Sequence, residues 1–298
     1  MNNVRIGINP ISWCNDDMPE LGAETSLETI LKEGSEIGFE GFELGGKFPS
    51  EPQALKDCLA AHHVVCVSGW FSGKLAEGDL ETEKQRAKAH MSLLAYNDSK
   101  VVVYGEVAGS IQGQMGTALH HRPMFGNESQ WQSYGDRLSQ FGAHLQAEYG
   151  ITLAYHHHMG AYAQSGSDVD VLMANTSAQD VGLLFDSGHA YFGGSDPIAL
   201  LKKHIARVVH VHCKDVRADV IAKARNEQWS FLQSVLNGAF TVPGDGDLDF
   251  KAIWDILKQA NYSGWLVVEA EQDPALAPSY KYAKMGFEHI HSLVHGAV

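Results

Sequence analysis

Sixteen of the 298 residues are histidine, a side chain that ligates divalent metals when neutral and moves protons near physiological pH. Several stand close to carboxylates. Residues 153–158 read Leu-Ala-Tyr-His-His-His, residues 183–189 Leu-Leu-Phe-Asp-Ser-Gly-His, residues 208–215 Val-Val-His-Val-His-Cys-Lys-Asp and residues 266–271 Leu-Val-Val-Glu-Ala-Glu. Each begins apolar and ends in groups that bind metals or transfer protons. One such ending is ordinary: Asp186 could merely cap a helix, and Glu269 and Glu271 could be solvated at a strand exit. Four in succession point to a site. Alternation along a strand puts His210 and His212 on one face, and likewise Glu269 and Glu271. One His, one Asp, one His and one Glu can then converge, a mixed imidazole and carboxylate set that suits Mn²⁺, Co²⁺ or Zn²⁺.

Positioning these groups requires strands that end side by side. Apolar runs at 4–9, 39–44, 64–68, 101–104, 151–155, 181–185, 208–212 and 265–269 predict eight strands. Helical patterns at 26–37, 51–61, 80–96, 129–149, 168–175, 197–204, 250–259 and 283–294 separate or follow them, with a helical insertion at 218–236. The strands are nearly continuous in Val, Ile and Leu, as strands buried on both faces require. Eight such units predict one (β/α)₈ TIM barrel over residues 1–298, with functional groups at the C-terminal strand ends. A doubly wound sheet is the competitor, but no GxGxxG follows the first strand. Trp13, Trp70 and Phe71 follow strand ends and could wall a pocket. Asp16-Asp17 and His120-His121-Arg122 read as solvated loop charges, and Cys66 and Cys213 as small buried hydrophobes.

Composition narrows the partners. With 44% hydrophobic and 19% charged residues the chain is globular, and its net charge of −14 repels phosphate backbones and anionic lipid. That disfavours nucleic acid, membranes and a phosphodiesterase. No apolar run approaches the ~20 residues of a membrane span. Asn9-Pro10 follows the N-terminus before a signal-peptide core can form. Four cysteines without CxxC spacing are too sparse for a disulfide scaffold, so a cytoplasmic location is expected. A non-catalytic sugar-binding module leaves the four polar strand ends unexplained.

The strand-end order, with Pro243-Gly244-Asp245-Gly246-Asp247-Leu248-Asp249-Phe250 before the last βα unit, resembles the xylose-isomerase-like barrel superfamily. More narrowly, the chain is similar to the inosose dehydratases. Gly7-Ile8-Asn9-Pro10-Ile11-Ser12-Trp13, Asn15-Asp16-Asp17-Met18-Pro19, Gly41-Phe42-Glu43-Leu44-Gly45, Tyr155-His156-His157-His158-Met159-Gly160 and Glu269-Ala270-Glu271-Gln272-Asp273-Pro274 carry that likeness. The superfamily's site is usually Glu, Asp, His, Glu. Asp186, His212 and Glu269 match it, and His156 stands first, with His158 an open alternative. The resemblance implies metal-assisted dehydration of 2-keto-myo-inositol (scyllo-inosose) to 3D-3,5/4-trihydroxycyclohexane-1,2-dione in myo-inositol catabolism. An inosose or ketose isomerase or epimerase on the same metal-dependent barrel is the alternative. Glu271, His158 and His189 are candidate proton movers, and Lys214 a candidate to hold a substrate oxygen. Trp13, Glu43, Trp70 and His210 are the expected substrate contacts. Mn²⁺ or Co²⁺ is the expected ion, with Zn²⁺ behind them; glutathione enters by resemblance alone. The expected partner is a small polyol ketone, with homo-oligomerisation left open.

Overall fold

The computed structural model describes residues 4–296. The sequence readings at residues 1–3 and 297–298 lie outside them. Eight parallel strands close a barrel: β1 (Val4–Ile8), β2 (Gly41–Leu44), β3 (Val65–Gly73), β4 (Val101–Glu106), β5 (Thr152–His156), β6 (Val181–Asp186), β7 (Val208–Cys213) and, completing the ring against β1, β10 (Gly264–Val268). A two-residue antiparallel pair, β8 (Asp215–Val216) and β9 (Phe240–Thr241), stands outside it. Among the described residues, no helix is long and apolar enough to cross a membrane.

Side chains alternate between the barrel interior and the surrounding helices. Val101, Val103, Ala154 and Leu184 fill the interior below the site, with Trp70 and Val209 packed against them. The opposite faces of the same strands, including Val102, Tyr104, Leu153, Tyr155 and Leu183, join the layer beneath the helices. Those helices are α1 (Leu27–Ile37), α2 (Pro52–Ala61), α3 (Leu80–Tyr96), α4 (Glu128–Tyr149), α5 (Gly166–Ala174), α6 (Ser187–Phe192), α7 (Pro197–His204), α8 (Ala218–Asn226), α9 (Phe231–Leu236), α10 (Phe250–Gln259) and α11 (Ser279–His295). Their limits follow local chemistry. Asn127 caps α4 through the Gln130 amide, and Gly150 ends it at φ 66°, a left-handed turn that costs glycine no Cβ clash.

Three segments depart from the sequence expectation. β3 runs on to Gly73, pairing Trp70 with Val103 and Ser72 with Gly105, because Gly69 does not break it. The insertion at 218–236 is two helices: Gln228 turns left-handed at φ 56°, and Ser230 restarts the chain with a capping box on Gln233. Directly after β6 stands the short α6, which no helical pattern predicts; Asp186 is its N-cap, as one reading of that strand end allowed.

Candidate metal centre and active site

β5, β6, β7 and β10 are consecutive neighbours in the ring, and Asp186 stands level with His212 in the β6–β7 register. His156, Asp186 and His212 therefore meet at one end of the barrel, and Glu269 joins them one residue beyond β10, its amide bonded to the Cys213 carbonyl. All four are buried. One ligand atom from each lies within 4.8 Å of every other. His156 Nε2 is 3.5 Å and His212 Nδ1 is 3.6 Å from Asp186 Oδ2, and His212 Nδ1 touches Glu269 Oε2.

The hydrogen bonds behind these atoms decide which lone pairs face inward. His156 Nδ1 donates to the His157 carbonyl (2.7 Å), so Nε2 is the bare nitrogen. His212 Nε2 donates to Glu43, 3.1 Å from Oε2, leaving Nδ1 toward the carboxylates. Asp186 divides its two oxygens: Oδ1 accepts the His189 amide at 2.7 Å as the α6 cap, while buried Oδ2 has no hydrogen-bond partner. His212 Nδ1 and Glu269 Oε2, also buried, meet each other. A buried carboxylate oxygen without a hydrogen-bond partner is rare and costly, and Asp186 Oδ2 is one, facing both imidazoles. Donors ~2.1 Å from a divalent ion lie roughly 3–4 Å apart, the separation found between His156, Asp186 and His212. The residues present fit a divalent metal.

The two carboxylates agree with that role. Burial raises the Asp186 carboxyl, but Lys214, His189 and the two facing histidines outweigh it and hold it well below its usual range. Glu269 is brought to about 2, burial being overcome by His212 and Lys214. Burial lowers His212, but Glu269 and Glu43 raise it well above an ordinary imidazole. Glu271 differs. Burial lifts it to about 7, Glu269 and Asp17 adding to the effect and Lys214 opposing it. Burial, then His156 and Lys214, lower His158 to about 3.

A cavity of about 330 Å³ opens over these groups, and His156, His158, His212, Glu269, Glu271 and Glu43 reach its surface with Trp70 and Ser72. His158 Nδ1 donates to the Met159 carbonyl at 3.0 Å, so a bare Nε2 can meet a ligand. The Trp70 ring stands edge-on to His156 and His158, at 5.7 and 5.9 Å, and its indole N–H donates to Ser72.

Other expected contacts fall elsewhere. Trp13 is buried in the core, its indole N–H bonded to Glu33 on α1 and its ring 6.3 Å from Phe42; the chain after β1 folds it under the loop rather than into the cavity. His210, two residues down β7, lies beneath the site and donates to Glu43 at 2.8 Å. Glu43 touches the cavity, but its oxygens already receive Asn9, Ser68, His210 and His212. Burial raises this carboxyl, and His212 and His210 overcome that and keep it well below the usual range. Its hydrogen bonds fix the orientation of both histidines. Lys214 and His189 are fully buried and do not line the cavity. Asp16 and Asp17, read as solvated loop charges, are exposed and also line its rim; the Gly46 amide holds Asp16 at 3.0 Å. The Asn-x-Asp loop signal at Asn15, which accepts the Asp17 and Met18 amides, was the available clue.

A closed barrel with a two-imidazole, two-carboxylate cluster at its strand ends defines the class. The chain belongs to the xylose isomerase-like TIM barrel family, whose pattern matches residues 31–293. More narrowly, it is 45% identical over 97% of its length to inosose dehydratase of Geobacillus thermodenitrificans, of which it covers 97%. It is also 46% identical over 97% of its length to the rhizopine catabolism protein MocC of Rhizobium meliloti, of which it covers 88%. Among solved structures, the probable 3-DHS dehydratase AsbF of Bacillus anthracis superposes with a TM-score of 0.69 at 14% identity, covering 98% of this chain and 100% of that one. The 3-keto-D-glucoside 4-epimerase YcjR of Escherichia coli gives 0.65 at 18%, covering 95% and 99%. At those identities the likeness shows the fold.

Proposed function

We propose that the chain dehydrates 2-keto-myo-inositol to 3D-3,5/4-trihydroxycyclohexane-1,2-dione, as a cytoplasmic single-domain enzyme of inositol catabolism. Its 45% identity to an inosose dehydratase over nearly the whole of both chains supports the substrate. The observation that carries the chemistry is the convergence of His156, Asp186, His212 and Glu269, with Asp186 Oδ2 left without a hydrogen-bond partner.

His156, Asp186, His212 and Glu269 hold the divalent ion, and the imidazole share of the set favours Mn²⁺ or Co²⁺ over a hard cation such as Ca²⁺. When bound, that ion supplies Lewis acidity toward a ketone oxygen and its neighbouring hydroxyl. His156, not His158, is the imidazole ligand on β5, because its bare nitrogen faces Asp186 while His158 sits with His189 and Glu271. Glu271 takes the proton α to the ketone. In its acid form it returns that proton to the departing β-hydroxyl, so the net change is loss of one water. A carboxyl at about 7 can do both near neutral pH. His158 Nε2 accepts from a substrate hydroxyl, and the Trp70 ring closes one wall. Glutathione has no role in this reading.

The experiment is turnover of scyllo-inosose by chelator-stripped and Mn²⁺-reloaded protein, with the product mass recorded. Loss of the mass of water, dependent on the added ion, is expected. Full activity in verified metal-free protein overturns the proposal, and an unchanged mass with altered stereochemistry supports the epimerase instead.

A further inference from the structure

Lys214 is fully buried, and its ammonium faces three carboxylates: Glu269 and Glu271 at 3.0 Å each and Asp186 at 3.5 Å. Asp186 and Glu269 belong to the ion-binding set. Glu271 belongs to a second buried group, with His158 and His189, whose donor atoms also lie within 4.8 Å of one another. Both ring nitrogens of His189 lack a hydrogen-bond partner. Two donor clusters therefore stand side by side, and the ammonium lies between them. Its place is built by the fold. The Phe240 ring faces Nζ at 4.8 Å, and Gly188 lets the stem pass, since a Cβ there would come within 2.6 Å of Lys214 Cγ.

We propose that the Lys214 ammonium is a resident second cation, filling the position that a second divalent ion would take between Glu269 and the His158–His189–Glu271 group, and so holding the centre to one metal. The inference rests on the metal reading of the site but not on the identity of the substrate. Charge balance argues for it. Asp186, Glu269 and Glu271 together neutralise one divalent ion and one ammonium. A second divalent ion would leave two uncompensated positive charges in a buried site, which is costly. Without the ammonium, one divalent ion leaves a net negative charge. The second cluster then has both the donors and the space vacated by the ammonium.

The test counts ions. Full-length protein is stripped, equilibrated with excess MnCl₂, freed of unbound ion, and read by elemental analysis and by electron paramagnetic resonance. Wild type should hold one ion per chain with an isolated Mn²⁺ signal. Lys214→Met should hold two, with the signal of a coupled pair, and Lys214→Met combined with Glu271→Gln should return to one. Two ions in wild type, or one or none in folded Lys214→Met, overturn the proposal. The wild-type count alone keeps it exposed should the variant not fold, and Lys214→Gln is read in the same way. No ion at all in wild type overturns the metal reading as well; two ions overturn this inference alone.

Discussion

Glu43→Gln separates positioning from substrate contact. Glu43 receives the Nε2 hydrogens of both His210 (2.8 Å) and His212 (3.1 Å), together with the Asn9 amide and the Ser68 hydroxyl. A glutamine retains one acceptor oxygen and points an N–H₂ at a group that is itself a donor. His212 relieves that clash by moving its hydrogen to Nδ1, the atom that faces Asp186 and Glu269. That tautomer cannot ligate. Loss of such an orienting carboxylate typically costs 10–100-fold in metal affinity, or about 1.4–2.7 kcal/mol. The assay is competition against a chelating dye at fixed pH, for wild type and Glu43→Gln side by side, with KM for scyllo-inosose measured at saturating Mn²⁺. Weaker metal binding with KM nearly unchanged is expected. An unchanged metal affinity with a raised KM would refute the orienting role and restore Glu43 as a substrate contact.

Asp186→Asn should lower metal content and activity together, whereas Glu271→Gln should keep the ion and lose 10²–10⁴-fold in kcat; elemental analysis beside kcat checks both, and the reverse pattern would exchange the assignments. Because the carboxylates raise His212 well above its ordinary value, the ion must displace a proton. Mn²⁺ affinity should therefore fall about tenfold per pH unit as the pH drops below that raised value. Affinity that stays flat from about pH 8 to 6, spanning the ordinary imidazole range, excludes histidine ligation. Gly105→Ala would place a Cβ 2.0 Å from the Trp70 ring. It should destabilise the fold by roughly 1–3 kcal/mol through overpacking and raise KM more than it lowers kcat. A thermal melt and a KM both equal to wild type would remove Trp70 from the cavity wall.

How much of this was legible follows from how far each interaction reaches along the chain. The apolar runs and the helical patterns between them are local, so the strand–helix alternation was readable, and with it the end of the barrel at which Asp186, His212 and Glu269 stand. Gly69, a residue that often ends strands, hid the last part of β3, and the left-handed turn at Gln228 has no strong local signal. What the sequence determined by itself was the chemistry available at each strand end. Only the tertiary structure decided which atoms face each other. The His210–Glu43 bond spans 167 positions of chain, so no local pattern could show that Glu43 orients histidines. The reading of His156 rather than His158 as ligand rests on which bare Nε2 faces Asp186, a matter of how the backbone leaves β5. Trp13 followed a strand end as a cavity wall would, yet folded beneath the loop onto Phe42, while Asp17, its amide bonded to Asn15 in the same loop, stands at the cavity rim. Side-chain direction beyond a strand's last residue depends on the loop's own hydrogen bonds, and those form only when the barrel has brought their partners together.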